Sequence, residues 1–299
     1  MTDPTARPIW AGTLALLLGA SCIALAPIMV KLSPLGPQAS AFWRLMIALP
    51  FLALWSVLER RGLDTDQKAA PLPLGLLVLA GALFAGDLAT WHAGIVRTSA
   101  ANATFLSNLT PIVVVAMAWL TTRAVPKSGY FIAVGIALIG SLLLSGGAPG
   151  TSASHMLGDG LSALTSVWYG LYLLAVARLR TRIGAGTIMT GSSLVAAMAC
   201  LAITLASGEP LLPPDMGTSF WLQWWPLLVL GLVAHVGGQG LLAYGFGLVP
   251  THIASVLILW QPVLAALLGW VILHEALSPI QLGGGALVLV GVWLAKRAG

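Results

Sequence analysis

The residues able to do chemistry are few, and they stand in oil-soluble surroundings. The stretch "FAGDLATWHAG", residues 84–94, places Asp87, Trp91 and His92 within six residues of an otherwise apolar run. Phe84, Asp87 and Trp91 are spaced three and four apart, which sets them on one face of a helix. His92 stands five beyond Asp87, roughly 140° around, so it need not touch the carboxylate. An acid flanked by aromatics in this way could line a cavity and receive an ammonium group; it could equally tie helices together by hydrogen bonds. His92 could face the cavity or another helix.

The other polar groups at depth form short constellations. His235 and Gln239 lie four apart and so share a face, where they could line a cavity or bond between helices. Trp168, Tyr169 and Tyr172 begin near the centre of an apolar run, where an aromatic wall suits an apolar substrate or simple core packing. Pro111 and Pro262 each remove a helical hydrogen bond and can bend the backbone, with or without a ligand beside them. Asn108 and Thr110 flank the first, Trp260 and Gln261 the second. Tyr244 and His252 suit a gate or an interface. Arg44, two turns from the end of its run, reads more readily as snorkelling or bonding to carbonyls than as a substrate ligand.

The elements holding these groups follow from hydropathy. Of 299 residues, 58% are hydrophobic and only 8% charged, against roughly a quarter charged in soluble domains. Uncharged runs such as Ile9–Val30 and Gly129–Met156 reach the roughly 20 residues that a helix needs to cross a bilayer. The runs are continuously apolar, not alternating, so helices are predicted and a barrel is not. Ten spans are expected near 9–31, 38–58, 74–96, 100–120, 129–147, 158–178, 184–206, 223–247, 251–273 and 279–295. Ile9–Val30 is too long for a signal-peptide core and lacks a clear cleavage site after it. Cys22 and Cys200 fall inside apolar runs and read as small packing residues; no metal or cofactor pattern accompanies them.

Charge supplies orientation. With the N-terminus cytoplasmic, the inner segments hold Arg7, Arg60, Arg61, Lys68, Arg123, Lys127, Arg178, Arg180, Arg182, Lys296 and Arg297, eleven of the 14 basic residues. Outer loops hold only Lys31 and Arg97, which predicts both termini inside a cell (inner) membrane. The net charge of +5 therefore reflects topology. No basic stripe with interleaved aromatics marks nucleic acid as a partner. Trp221, Trp224 and Trp225 are expected to form an outer interfacial belt.

A shift of 151 residues lays the third to fifth spans on the eighth to tenth. Gly86 meets Gly237, Gly94 meets Gly245, Pro111 meets Pro262, Trp119 meets Trp270 and Gly140 meets Gly291. The half-repeat, 1–150 against 151–299, holds five spans. An odd number inverts the second half relative to the first, the architecture of alternating-access carriers with a midplane site.

The stretches "FWRLMIALPFLAL", "AANATFLSNLTPIVVVAMAWL" and "ASVLILWQPVLAALLGWVILHEALSPIQLGGGALVLVGVWLA" resemble the EamA-type branch of the drug/metabolite transporter superfamily, over essentially the whole chain and in two copies. The resemblance implies ten helices in two inverted halves moving a small metabolite, often outward; amino-acid exporters of the YddG type are the nearest in pattern. Two departures matter. The first span carries no acid, unlike small multidrug members, which puts proton antiport by that route in doubt. Arg44 is the sole basic residue well inside a span, which disfavours phosphorylated substrates.

An enzyme is the competing class. "HEAL" at His274–Leu277 lacks the second zinc-binding His, since Ser278 stands in its place, and there is no G-x-S-x-G elbow or Walker loop. The expectation is a carrier, monomeric or a weak homodimer. It would export amino acids or similar zwitterionic or apolar metabolites, with multidrug efflux as the alternative. Asp87 is expected to receive an ammonium, and Asn108, Gln239 or Gln261 to donate to a carboxylate.

Overall fold

A computed structural model describes residues 9–62, 71–98, 100–123, 127–145, 152–213, 220–273 and 277–298. Arg7, Lys68, His274 and Glu275 lie outside them. The described residues are helical, with no strand. In chain order the helices are α1 (Ile9–Ile23), α2 (Ala26–Leu32), α3 (Pro37–Arg61), α4 (Leu74–Ile95), α5 (Ala100–Ser107), α6 (Thr110–Thr122) and α7 (Ser128–Leu144). The second half holds α8 (Ala153–Arg180), α9 (Ala185–Ser207), α10 (Phe220–Leu228), a π-helical segment (Val229–Gln239), α11 (Gly240–Gly245), α12 (Thr251–Leu257), α13 (Trp260–Leu273) and α14 (Pro279–Ala298). Among the described residues seven helical stretches are long and apolar enough to cross a membrane, and Ala103–Met117, Ser128–Leu144 and Pro279–Ala295 are shorter apolar helices.

Close backbone approaches at small residues hold the bundle, as is usual where lipid removes the hydrophobic drive between helices. They also reveal its symmetry. A Cβ on Gly140 of α7 would lie 2.6 Å from both the Gly284 carbonyl oxygen and the Val288 nitrogen of α14. A Cβ on Gly291 of α14 would lie 2.7 Å from the Ala133 carbonyl oxygen and the Ala137 nitrogen of α7. The 151-residue shift turns the first set of contacts into the second. As numbers rise along α7 they fall along α14, so the two helices are antiparallel and cross on an approximate two-fold axis.

The same axis relates the other pairs. Gly94 of α4 approaches the Gly158 carbonyl and Ser162 of α8, just as Gly245 of α11 approaches the Gly12 carbonyl and Leu16 of α1. Gly81 of α4 meets Val195 and the Ser192 carbonyl of α9, as Gly231 of the π segment meets Ile47 and the Arg44 carbonyl of α3. The first spans of the two halves therefore match too, at a slightly different shift, a correspondence too weak in side chains to read from sequence.

Helices α3 and α9 pack on one another and are fastened at both ends by exchanged carboxylates. Glu209, just past α9, accepts from the Gln38 and Ala39 nitrogens at the start of α3, at 2.9 and 3.0 Å. Glu59, near the end of α3, accepts from the Ala185 and Gly186 nitrogens at the start of α9, at 3.0 and 2.9 Å. Each glutamate satisfies donors that a helix start leaves open, at the end where the dipole favours an anion.

The tryptophans expected in one belt divide. Trp221 is 72% exposed, whereas Trp224 is 8% exposed and packs edge-on against Trp43 at 4.8 Å. Trp43 donates from Nε1 to the Leu211 carbonyl at 2.6 Å, so this cluster plugs the Glu209 end of the bundle.

Candidate functional site

Three helices are interrupted in mid-course, between α1 and α2, between α5 and α6, and between α12 and α13. Each break precedes a proline, Pro27, Pro111 or Pro262, whose missing N–H deprives the carbonyl four residues back of its helical donor. Those carbonyls belong to Ile23, Ser107 and Ile258, and all three residues line one cavity. Proline alone is not sufficient, because Pro50 sits within an unbroken α3. The Ser107 carbonyl accepts from Thr110 Oγ1 at 2.8 Å, and that of Ile258 from the Gln261 nitrogen at 2.9 Å.

The cavity encloses roughly 590 Å³, a figure that includes the solvent space at its open mouth. Ser107, Asn108 and Thr110 face it from one half, and their counterparts at the 151-residue shift, Ile258, Leu259 and Gln261, face it from the other. The cavity therefore lies on the two-fold axis, at the seam of the repeat.

Among the residues singled out in the sequence, the structure brings Asp87, Trp91, Asn108, Pro111, Tyr169, Gln239 and Gln261 to this cavity. Tyr169 reaches Gln239 Oε1 through its hydroxyl at 3.4 Å. Thr90 and Thr165 bond through their hydroxyls at 2.8 Å, tying α4 to α8 beside Asp87.

The remainder sit elsewhere. Phe84 stacks on Tyr172 at 4.7 Å and on His235 at 5.4 Å, forming a closed aromatic core outside the cavity. Tyr172 bonds to Met189 Sδ at 3.6 Å, and His235 Nε2 to Ser193 Oγ at 2.8 Å, so both are engaged with α9. Trp168 lies over Gly86, where a Cβ would come 2.9 Å from its ring. Trp260 donates to Ser21 Oγ at 3.0 Å and thereby joins the ninth expected span to the first. Pro262 shapes the break without lining the cavity. His92 is fully buried, edge-on to Trp91 at 5.1 Å.

Arg44 is the charged cavity residue that sequence reasoning did not place there, and Ser107, Thr165 and Ser255 are the polar ones. Arg44 is 3% exposed, lines the cavity together with Asp87 at 7%, and does not snorkel. Its Nε is buried without a hydrogen-bond partner, as is Nδ2 of Asn108. No hydrogen bond or ion pair joins Arg44 to Asp87 among the described residues, although both line the cavity. The available signal was that Arg44 is the sole cation well inside an apolar run; an intramembrane ion is a functional candidate before it is a structural one.

Comparison with known proteins gives three likenesses. The model of the EamA-like transporter family matches twice, over residues 10–146 and 156–297. An uncharacterized transporter, YwfM, of Bacillus subtilis (strain 168) is 27% identical over 275 residues, 88% of this chain and 85% of the relative. A solved crystal structure shares the fold with a TM-score of 0.74 at 20% identity, over 97% of this chain and 98% of the other.

Proposed function

The chain belongs to the EamA-like transporter family, and from that premise we propose that it is a secondary transporter exporting amino acids or similar small metabolites by alternating access. One observation carries the reading. Three interrupted helices meet at a cavity on the axis relating the two halves, where a carrier that rocks one half against the other keeps its site. The shorter apolar helices complete ten membrane crossings in this reading. Both termini lie on the cytoplasmic side of a cell membrane in this reading, which the distribution of positive charges supports. Asp87 receives an ammonium, and Trp91 and Tyr169 pack the apolar part of the solute.

A cationic drug as cargo is the second reading, favoured by the same carboxylate and aromatics. The test is counterflow of labelled amino acids and lipophilic cations into liposomes containing the purified chain, with and without a pH gradient. Accumulation of an unmodified amino acid against unlabelled solute inside is expected. Counterflow of the cations alone would favour the drug reading, and counterflow of no solute would refute transport.

A further inference from the structure

From the unpaired charges in the cavity we infer that Arg44 and Asp87 form a two-point ionic receptor, which selects solutes carrying a carboxylate and an ammonium on one small frame. The inference rests on the transporter reading and names the determinants of its specificity.

Burial comes first. Each residue is more than nine-tenths buried, in a setting where an uncompensated ion costs several kcal/mol. A structural pair would close that gap by direct contact, and these two do not touch. The unmet groups are complementary to a zwitterion. Arg44 Nε and Asn108 Nδ2 are buried donors lacking an acceptor, and a carboxylate supplies two acceptor oxygens to such a pair. Ionised, Asp87 offers acceptors only, which is what an ammonium needs.

The two-fold axis supplies an independent argument. Because Gly81 packs on Ser192 as Gly231 packs on Arg44, the counterpart of Arg44 is Ser192. The counterpart of Asp87 at the 151-residue shift is Gly238. The architecture therefore accommodates a small neutral residue at both positions, and packing does not require either charge. The charges are additions to one half, and both face the cavity.

The test takes any labelled amino acid that counterflows and competes it, in wild-type proteoliposomes, with its unlabelled parent, its amide and its N-acetyl derivative. The amide lacks the carboxylate and the N-acetyl compound lacks the ammonium. Each should compete about 10- to 100-fold more weakly than the parent, the loss expected for one charge-assisted interaction. Arg44→Gln should bring the amide level with the parent, and Asp87→Asn should do so for the N-acetyl compound. If neither variant folds, wild-type competition still tests whether the solute's two charges are read; discrimination unchanged by either substitution overturns the assignment to Arg44 and Asp87. Equal competition by all three compounds would overturn the inference, as would counterflow confined to solutes with a single charge. A protein that moves nothing would instead overturn the transporter reading itself.

Discussion

Removing one of the exchanged carboxylates isolates the fastening of α3 to α9. In Glu209→Ala, the Gln38 and Ala39 nitrogens lose acceptors at 2.9 and 3.0 Å. Hydrogen bonds to charged groups contribute roughly 1.5–3 kcal/mol each, but Glu209 is half-buried and water recovers part of the loss. Loss of a helix N-cap costs about 0.5–2 kcal/mol, and the dipole interaction adds about 0.3–1. The expected destabilisation is therefore about 2 kcal/mol, with Glu209→Gln near half of that. At about 2–4 °C per kcal/mol, the Ala variant should melt about 4–8 °C lower. The Trp43–Leu211 bond is untouched, so the shift reports the carboxylate. Intrinsic-fluorescence melting of detergent-solubilised protein measures it. Glu59→Ala should give a similar drop. The two latches share no partner, so the double variant should show the sum to within about 0.5 kcal/mol. A melt within 1 °C (about 0.3 kcal/mol) of wild type, or a double variant no weaker than a single one, would refute the reasoning.

Two further changes test the packing. Gly140→Val places a Cβ 2.6 Å from the Gly284 carbonyl oxygen, where backbone faces backbone, whereas Gly283→Ala meets nothing within 4 Å. The first should lower stability by about 1–3 kcal/mol or more and the second should leave the melt unchanged in the same assay. Ser193→Ala leaves His235 Nε2 buried without its 2.8 Å partner. It should cost about 1–3 kcal/mol while the counterflow KM stays at the wild-type value, because neither residue lines the cavity.

Hydropathy located the helices because a bilayer imposes length and apolarity on each crossing. The expected 184–206 and the observed Ala185–Ser207 differ by one residue at each end. Pro111 and Pro262 were legible as break points through their pairing in the repeat. Pro27 was not, because its break has no counterpart in the unbroken α8. The π winding over Val229–Gln239 has no sequence signature comparable to a proline. Side-chain direction was the main loss. Periodicity fixes angles around one helix but not which neighbour each face meets. Phe84, Asp87 and Trp91 share a face, yet Phe84 is sealed against Tyr172 and His235 while the other two reach open space. Of the expected aromatic wall of Trp168, Tyr169 and Tyr172, Tyr169 alone lines the cavity. Arg44 was discounted because a lone cation two turns from a span end ordinarily snorkels; at 3% exposed it lines the cavity instead.

The tight crossing of α1 with the π segment also keeps the acid to one side of the seam. A two-fold axis through a cavity offers, in principle, two equivalent poses for a polar solute, one the reverse of the other. The reversed pose would need a carboxylate at residue 238, but a Cβ there would lie 2.5 Å from Ile23 Cγ1 and 3.2 Å from the Gly19 carbonyl oxygen. Glycine is what permits that crossing, so the chain cannot duplicate its acid without parting two helices. The acid is therefore confined to one half of the seam, and the cavity is asymmetric in charge although its backbone is nearly symmetric.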